Sequence, residues 1–263
     1  VTFIVPPAAI LIDLVAFVLA VERYRDLRDT ERERVRAWCV DFCGGVLPSE
    51  TTAPRVERVI ERPTPTYPPE SEVRALWDAC ESCDVDPDVA AYLASRGIDV
   101  GRVADLDLAR ALPSGDVPSW AQTWQTTGHR LLVPLFDASG VMRSVLARSL
   151  DRGAQRKSLA PAGFTRAGLI MACAFGRLLL SSGKPAWWPR DLDLRIVIAE
   201  GEIDALAWAS QWSDAAEHAP ATLGIVSGSW TPEIAARIPE GAVVIVATDS
   251  DSEGEKYAGR IST

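Results

Sequence analysis

Hydrophobic and polar positions fall into several regimes along the chain. From Ile10 to Cys43 apolar residues recur at helical spacing around a charge-rich middle, ERYRDLRDTERERVR, whose mixed signs suit a solvated helix face. Between Pro48 and Pro69 the periodicity stops, and six prolines with several threonines give the composition of an extended linker. Glu72 to Gly97 is expected to hold two short helices, the second closed by Gly97. Arg130 to Arg148 reads as a β-hairpin, with strands Arg130–Phe136 and Val141–Arg148 around a turn through Asp137, Ala138, Ser139 and Gly140. Pro134 lacks an N–H and is expected to put the first strand at an edge or a bulge.

From Arg195 the pattern changes again. The apolar runs RIVIA, TLGIVS and AVVIVA each precede a helical stretch, EIDALAWASQW, TPEIAARI and EGEKYAGRI respectively. Repeated β-α units of this length imply a parallel sheet with right-handed crossovers. The expected fold class is α/β, a parallel sheet flanked by helices, with an α+β N-terminal part. The expected domains are a helical segment at 1–47, a linker at 48–71, a helical entry with a basic hairpin at 72–189, and the β-α units at 190–263.

Composition narrows the functional classes. The chain has 263 residues, 48% hydrophobic and 24% charged, enough for an adequate core in one or two domains. A net charge of -9 counts against a general DNA coat and favours local basic patches on an acidic body. Five cysteines, an odd number, do not suit a secreted disulfide framework, so a reducing cytoplasm is expected. The opening VTFIVPPAAILIDLVAFVLA is apolar, but Pro6, Pro7 and Asp13 interrupt it and no basic segment precedes it. A buried amphipathic helix from Ala9, and no membrane partner, is the expectation. The chain starts at Val1 and stops within a helical pattern at Thr263, as a fragment would.

Two acidic motifs carry the chemistry. In VVIVATDSDSEGEKYAGR, Asp249 and Asp251 follow an apolar strand, at the sheet rim where open α/β folds bind ligands. Residues two apart on extended backbone point the same way, and two converging carboxylates repel unless a proton or cation lies between them. A hard divalent cation such as Mg²⁺ resolves that repulsion; an Asp-rich N-cap for the following helix is the alternative. In AEGEIDAL, Glu200 ends another strand and Asp204 lies one turn into its helix. Parallel strands would bring all four acids to one edge of the sheet.

The pair of motifs, E-G-x-x-D and D-x-D-x-x-G, separated by a β-α unit containing GIVSGSW, resembles the Toprim domain over residues 195–263. That fold is shared by DnaG-type primases, topoisomerases, small repair nucleases and recombination mediators. Upstream, RLLVPLFDASGVMRSVLARSLDRGAQRKSLAP is similar to the basic, strand-rich subdomain that precedes Toprim in DnaG-type and phage primases. The hairpin arginine of that subdomain matches Arg148 and its loop lysine Lys157, with Arg143 and Arg156 beside them. Arg143 to Lys184 holds eight basic residues against one acid, Asp151, a composition that steers phosphates or simply solubilises the surface. AAYLASRGIDVGRV resembles the helical entry to that core, and ILIDLVAFVLAVERYRDL the helix after a primase zinc ribbon.

The resemblance implies a DNA primase, a nucleotidyltransferase that makes short RNA primers from NTPs on single-stranded DNA in phage, plasmid or bacterial replication, beside a replicative helicase. It implies Glu200, Asp204, Asp249 and Asp251 as catalytic acids, Glu200, Asp249 and Asp251 as ligands of Mg²⁺ or Mn²⁺, and Arg143, Arg148, Arg156 and Lys157 as phosphate contacts. It also places a further acidic pair on a next strand, beyond Thr263. Cys39 with Cys43 and Cys80 with Cys83 are read as small buried apolar residues rather than zinc ligands. His129 and His218 are read as structural or surface residues, and Trp187 with Trp188 as packing at a junction or a base-stacking pair. Topoisomerase chemistry is disfavoured, since none of the four tyrosines has a recognisable nucleophile setting. A metal-dependent Toprim nuclease needs the same acids without the hairpin and Lys157; a non-catalytic nucleic-acid-binding or helicase-loading module needs neither to be complete.

Overall fold

The computed structural model describes residues 65–183, 194–212, 219–226, 229–249 and 252–261. The expectations for 1–64, Trp187, Trp188, His218 and Asp251 lie outside them. In chain order the elements are α1 (Glu70–Ala79), β1 (Glu81–Ser82), α2 (Pro87–Ala94), α3 (Val100–Asp105) and β2 (Arg110–Ala111). A 3₁₀ turn and α4 (Gln122–Thr126) lead into the hairpin β3 (His129–Phe136) and β4 (Met142–Ser149). Next come β5 (Ser158–Leu159), β6 (Ile170–Ala172) and α5 (Ala174–Ser182). The β-α units follow as β7 (Arg195–Glu200), α6 (Glu202–Ser210), β8 (Ala221–Ile225), α7 (Pro232–Ala235), β9 (Val243–Ala247) and α8 (Ser252–Ile261).

Local chemistry explains where helices start. Asp86 caps α2, its carboxylate accepting from the N–H groups of Asp88 and Val89, both at 3.0 Å, with Pro87 in the first helical position. Asp99 does the same for α3 through Arg102 N–H at 3.0 Å. Helix α3, a single short element after Gly97, was not separately expected.

Among the described residues the nine strands form one sheet, ordered β1-β2-β3-β6-β8-β7-β9, with β4 on the other edge of β3 and β5 beyond it. The expected parallel sheet is the β8-β7-β9 part, where β7 runs parallel to both neighbours. Strand β6 joins it to the hairpin, pairing antiparallel with β8 along Ile170–Ala172 and with β3 at Phe136. The basic hairpin and the β-α units are therefore one mixed sheet.

Strand β3 lies inside the sheet, not at its edge. Strand β2 pairs with it at Leu131 and Leu132 and β6 at Phe136, so on that side Pro134 falls in the interval between two ladders. Its missing N–H interrupts neither. The bulges lie elsewhere: β3 carries an extra residue at Arg130 and β4 one at Arg143. Bulges re-aim side chains. Arg130 is thereby directed to Asp86 and Asp88, and Arg143 to Asp137 and Glu70.

Alternation along the strands sorts the core into clusters. Leu131, Val133, Leu135 and Ala199 pack with Leu93, Val103 and Leu206 of the helices on one face. Ile196, Ile198, Leu223 and Ile225 pack with Leu179, Leu180 and Ile234 on the other. Leu132, Val145 and Ala147 meet α1 and the Trp120–Trp124 pair. Cys83 lies in the first cluster and Cys80 in the third, and burial pushes their thiols up to about 11 and about 12. On its outer side β9 has no strand partner among the described residues, and Val243, Val244 and Ile245 are exposed there. Among the described residues no helix is long and apolar enough to cross a membrane.

His129, nearly fully buried, is structural as read. Its Nε2 meets Arg156 O at 2.9 Å, and its Nδ1 lies 2.8 Å from Thr127 Oγ1, whose own hydroxyl donates to Thr123 O at 2.6 Å.

Asp86 both caps α2 and holds Arg130, so Asp86→Ala is expected to lower the unfolding free energy by about 2 kcal/mol. Asp86→Asn, which keeps the cap and loses the charge, should lose less. Urea denaturation of both variants checks the order.

Candidate active site

Strand β7 carries its apolar residues to the sheet rim and ends in Glu200. Gly201 then adopts φ +94°, ψ 161°, a conformation essentially reserved for glycine, while its N–H donates to Ile225 O at 2.9 Å. This turn separates two acids only one residue apart. Glu200 stays half-buried at the rim, whereas Glu202, the first residue of α6, is turned inward to 5% exposure. Asp204 follows on the same helix.

Asp249 arrives from the neighbouring strand. It follows β9 on an exposed loop, and its N–H donates to Glu200 Oε2 at 3.2 Å. A side chain at Gly254 would place its Cβ 1.9 Å from the Asp249 carbonyl oxygen, so α8 can pack against this loop only with glycine there. Glu200 and Asp249 are thus brought together. Asp204 joins them electrostatically: burial first, then the charges of Asp249 and Glu202, raise its carboxyl above the usual range, with Arg148 and Arg96 opposing. Among the described residues no three His, Cys, Asp or Glu side chains converge as a metal site, and Asp251 lies outside that set. The oxygen-only donors and their mutual repulsion fit a hard divalent cation.

The predicted cations divide. Arg148, at the end of β4, is not free: its Nη1 donates to Glu202 Oε1 at 2.6 Å, and the two side chains are only 14% and 6% exposed. Ser158 Oγ, on β5, donates to the same carboxylate oxygen at 2.5 Å. Arg156 and Lys157 are exposed on the loop before β5. That loop is pinned by its main chain, since Arg156 O accepts from His129 and Lys157 O accepts from Ser149 N–H at 2.9 Å. Arg143 lies toward the other end of β4, about 17 Å from Arg148 at strand rise, paired to Asp137 and Glu70. It is not brought to the acids.

A cleft of about 450 Å³ opens at the rim, lined by Glu200, Gly201, Glu202, Ser158, Arg166 and Tyr257 together with Ile225 and Val226. Sequence reasoning did not single out Glu202, Ser158, Arg166 or Tyr257 for this cleft. Glu202 has the weakest signal, since an acid in a first helical turn is favoured by the helix dipole anyway. Ser158 adjoins Lys157, and Arg166 belongs to the basic run already noted, but nothing in one sequence marks either as facing the acids.

Because the folded state holds the Asp204 proton more tightly than the unfolded chain does, this carboxyl costs stability as pH rises from the ordinary carboxylate range through its raised value. Below that range both states are protonated and nothing is lost. Asp204→Asn is therefore expected to melt higher than wild type at about pH 7 without metal, the difference vanishing by about pH 3. Thermal melts across pH check both ends.

Residues 197–263 match a family model described as Toprim-like. No curated protein matches the chain. Among solved structures, the E. coli primase catalytic core aligns at 17% identity and TM-score 0.48, covering 73% of this chain and 65% of that one. A DnaG primase catalytic domain bound to ssDNA aligns at 16% and 0.48, covering 73% and 64%. The Aquifex aeolicus primase, with zinc-binding and RNA polymerase domains, aligns at 13% and 0.48, covering 73% and 51%. The chain spans less than two thirds of the length of each of these three. With the acids of β7 and β9 on parallel strands and the family match over the same stretch, residues 197–263 form a Toprim-like domain.

Proposed function

We propose that this chain is the core of a DnaG-type primase, a metal-dependent nucleotidyltransferase that makes short RNA primers from NTPs on single-stranded DNA, with a replicative helicase as partner. The observation that carries this reading is the composition of the cleft. Glu200 of the Toprim-like domain faces Ser158 and Arg166 of the strand-rich segment across a single sheet. A nuclease using the same acids would not need that second wall.

Glu200, Asp249 and Asp251 would hold Mg²⁺ or Mn²⁺, which when bound activates a hydroxyl nucleophile and neutralises a departing pyrophosphate. The chain's own residues supply the rest. The Asp249 N–H orients the Glu200 carboxylate at the rim. Asp204, whose carboxyl is raised above the usual range by burial and then by the charges of Asp249 and Glu202, adds a further acid to this cluster. Arg166 in the cleft wall and Arg156 and Lys157 on the adjoining loop bind the phosphates of template and nucleotides, fixing their position relative to the acids. Arg143 contributes to template binding only at a distance from the chemistry.

Asp249→Asn is expected to abolish Mg²⁺-dependent primer synthesis on a single-stranded template while melting no lower than wild type. Lys157→Ala should weaken template affinity and lower its salt slope by about one unit. Template degradation in place of primer synthesis would select the nuclease reading, and template binding without either reaction the non-catalytic one.

A further inference from the structure

Arg148 and Ser158 converge on one oxygen. Glu202 Oε1 accepts from the Arg148 guanidinium at 2.6 Å and from the Ser158 hydroxyl at 2.5 Å. A guanidinium and a hydroxyl meeting at one anionic oxygen is equally a site for a phosphate oxygen. Ser158 and Glu202 both line the cleft that holds Glu200, so this oxygen lies in the wall that a ligand of the cleft would touch. Glu202 also begins a nine-residue helix whose N-cap, Gly201, supplies no side-chain acceptor, which leaves main-chain donors at the same spot.

We propose that Glu202, while no ligand is bound, occupies the phosphate contact that the resemblance implies for Arg148, with Ser158 beside it, so that Glu202 sets how tightly the cleft takes phosphate. The proposal rests on the reading of the cleft as a nucleotide and template site, and it names the residue that tunes it. A phosphate offers more charge and more acceptor oxygens than a carboxylate, so it competes for Arg148. Displacing Glu202 releases a carboxylate among Glu200, Asp204 and Asp249, and that repulsion opposes entry. The site therefore refuses weak, singly charged anions and admits polyphosphate or a nucleic-acid backbone.

The test uses the full chain as wild type, Glu202→Gln and Glu202→Gln with Arg148→Met. Inorganic pyrophosphate binding is read from ligand-dependent melting shifts, and oligo-dT binding from fluorescence anisotropy at several salt concentrations. Glu202→Gln, though it melts lower without ligand, should bind pyrophosphate about tenfold more tightly and raise the oligo-dT salt slope by about one unit. Adding Arg148→Met should remove both gains, which a merely structural role for Glu202 would not produce. Pyrophosphate binding by Glu202→Gln equal to or weaker than wild type overturns the proposal. Should Glu202→Gln fail to fold, Glu202→Asp, which draws the carboxylate back by one methylene, must show part of the gain, and none overturns it. Wild type that ignores oligo-dT while Glu202→Gln gains pyrophosphate would sink the primase reading alone. Wild type that binds oligo-dT while Glu202→Gln gains nothing would sink this inference alone.

Discussion

Glu202 is a carboxylate held almost entirely out of water, and such a charge persists in a fold only when its partners are fixed in advance. The partners here come from the far side of the sheet, Arg148 from β4 and Ser158 from β5. Their reach depends on the hairpin and the β-α units sharing one sheet, which the short strand β6 achieves by pairing with both β3 and β8. The ion pair and the sheet continuity therefore support each other. Removing one partner leaves the other buried and uncompensated, a loss far larger than that of an exposed ion pair.

The same junction organises the candidate site. Gly201 divides the work of two neighbouring acids, leaving Glu200 at the rim and sending Glu202 inward to the hairpin. Gly254 lets α8 close against the Asp249 loop, whose amide then meets Glu200. Burial first, then the charges of Asp249 and Glu202, raise the Asp204 carboxyl at this rim, and a site where carboxylates crowd is suited to a ligand that relieves their repulsion.

Much of this was legible in the sequence. The β-α alternation marks β7, β8 and β9 almost to the residue, because parallel strands read as unbroken apolar runs, β7 and β8 buried on both faces and β9 apolar even where it is exposed. The hairpin was equally plain from its Asp-Ala-Ser-Gly turn. Glu200 and Asp249 stand out in the sequence because strand ends in such sheets point at ligands, and in the structure the Asp249 amide meets the Glu200 carboxylate. The joining of the two segments was not legible, since β6 has only three residues and its pairings are set by tertiary contacts. For the same reason the pairing of Arg148 with Glu202 is not visible in the sequence. Its partner lies 54 residues away, and no local pattern announces a long-range pair. Pro134 misled for a subtler reason: a strand can be internal and still have an interval without a ladder on one side.

The dependence of the fold on the Arg148–Glu202 pair is tested most directly by a double-mutant cycle in urea, with Arg148→Met, Glu202→Gln and the two combined. Each single variant is expected to lose about 3–5 kcal/mol, and the combination little more than either alone, because the second change removes the charge that the first left stranded. Losses that simply add, or single variants as stable as wild type, would show that the pair does not hold the hairpin to the Toprim-like domain.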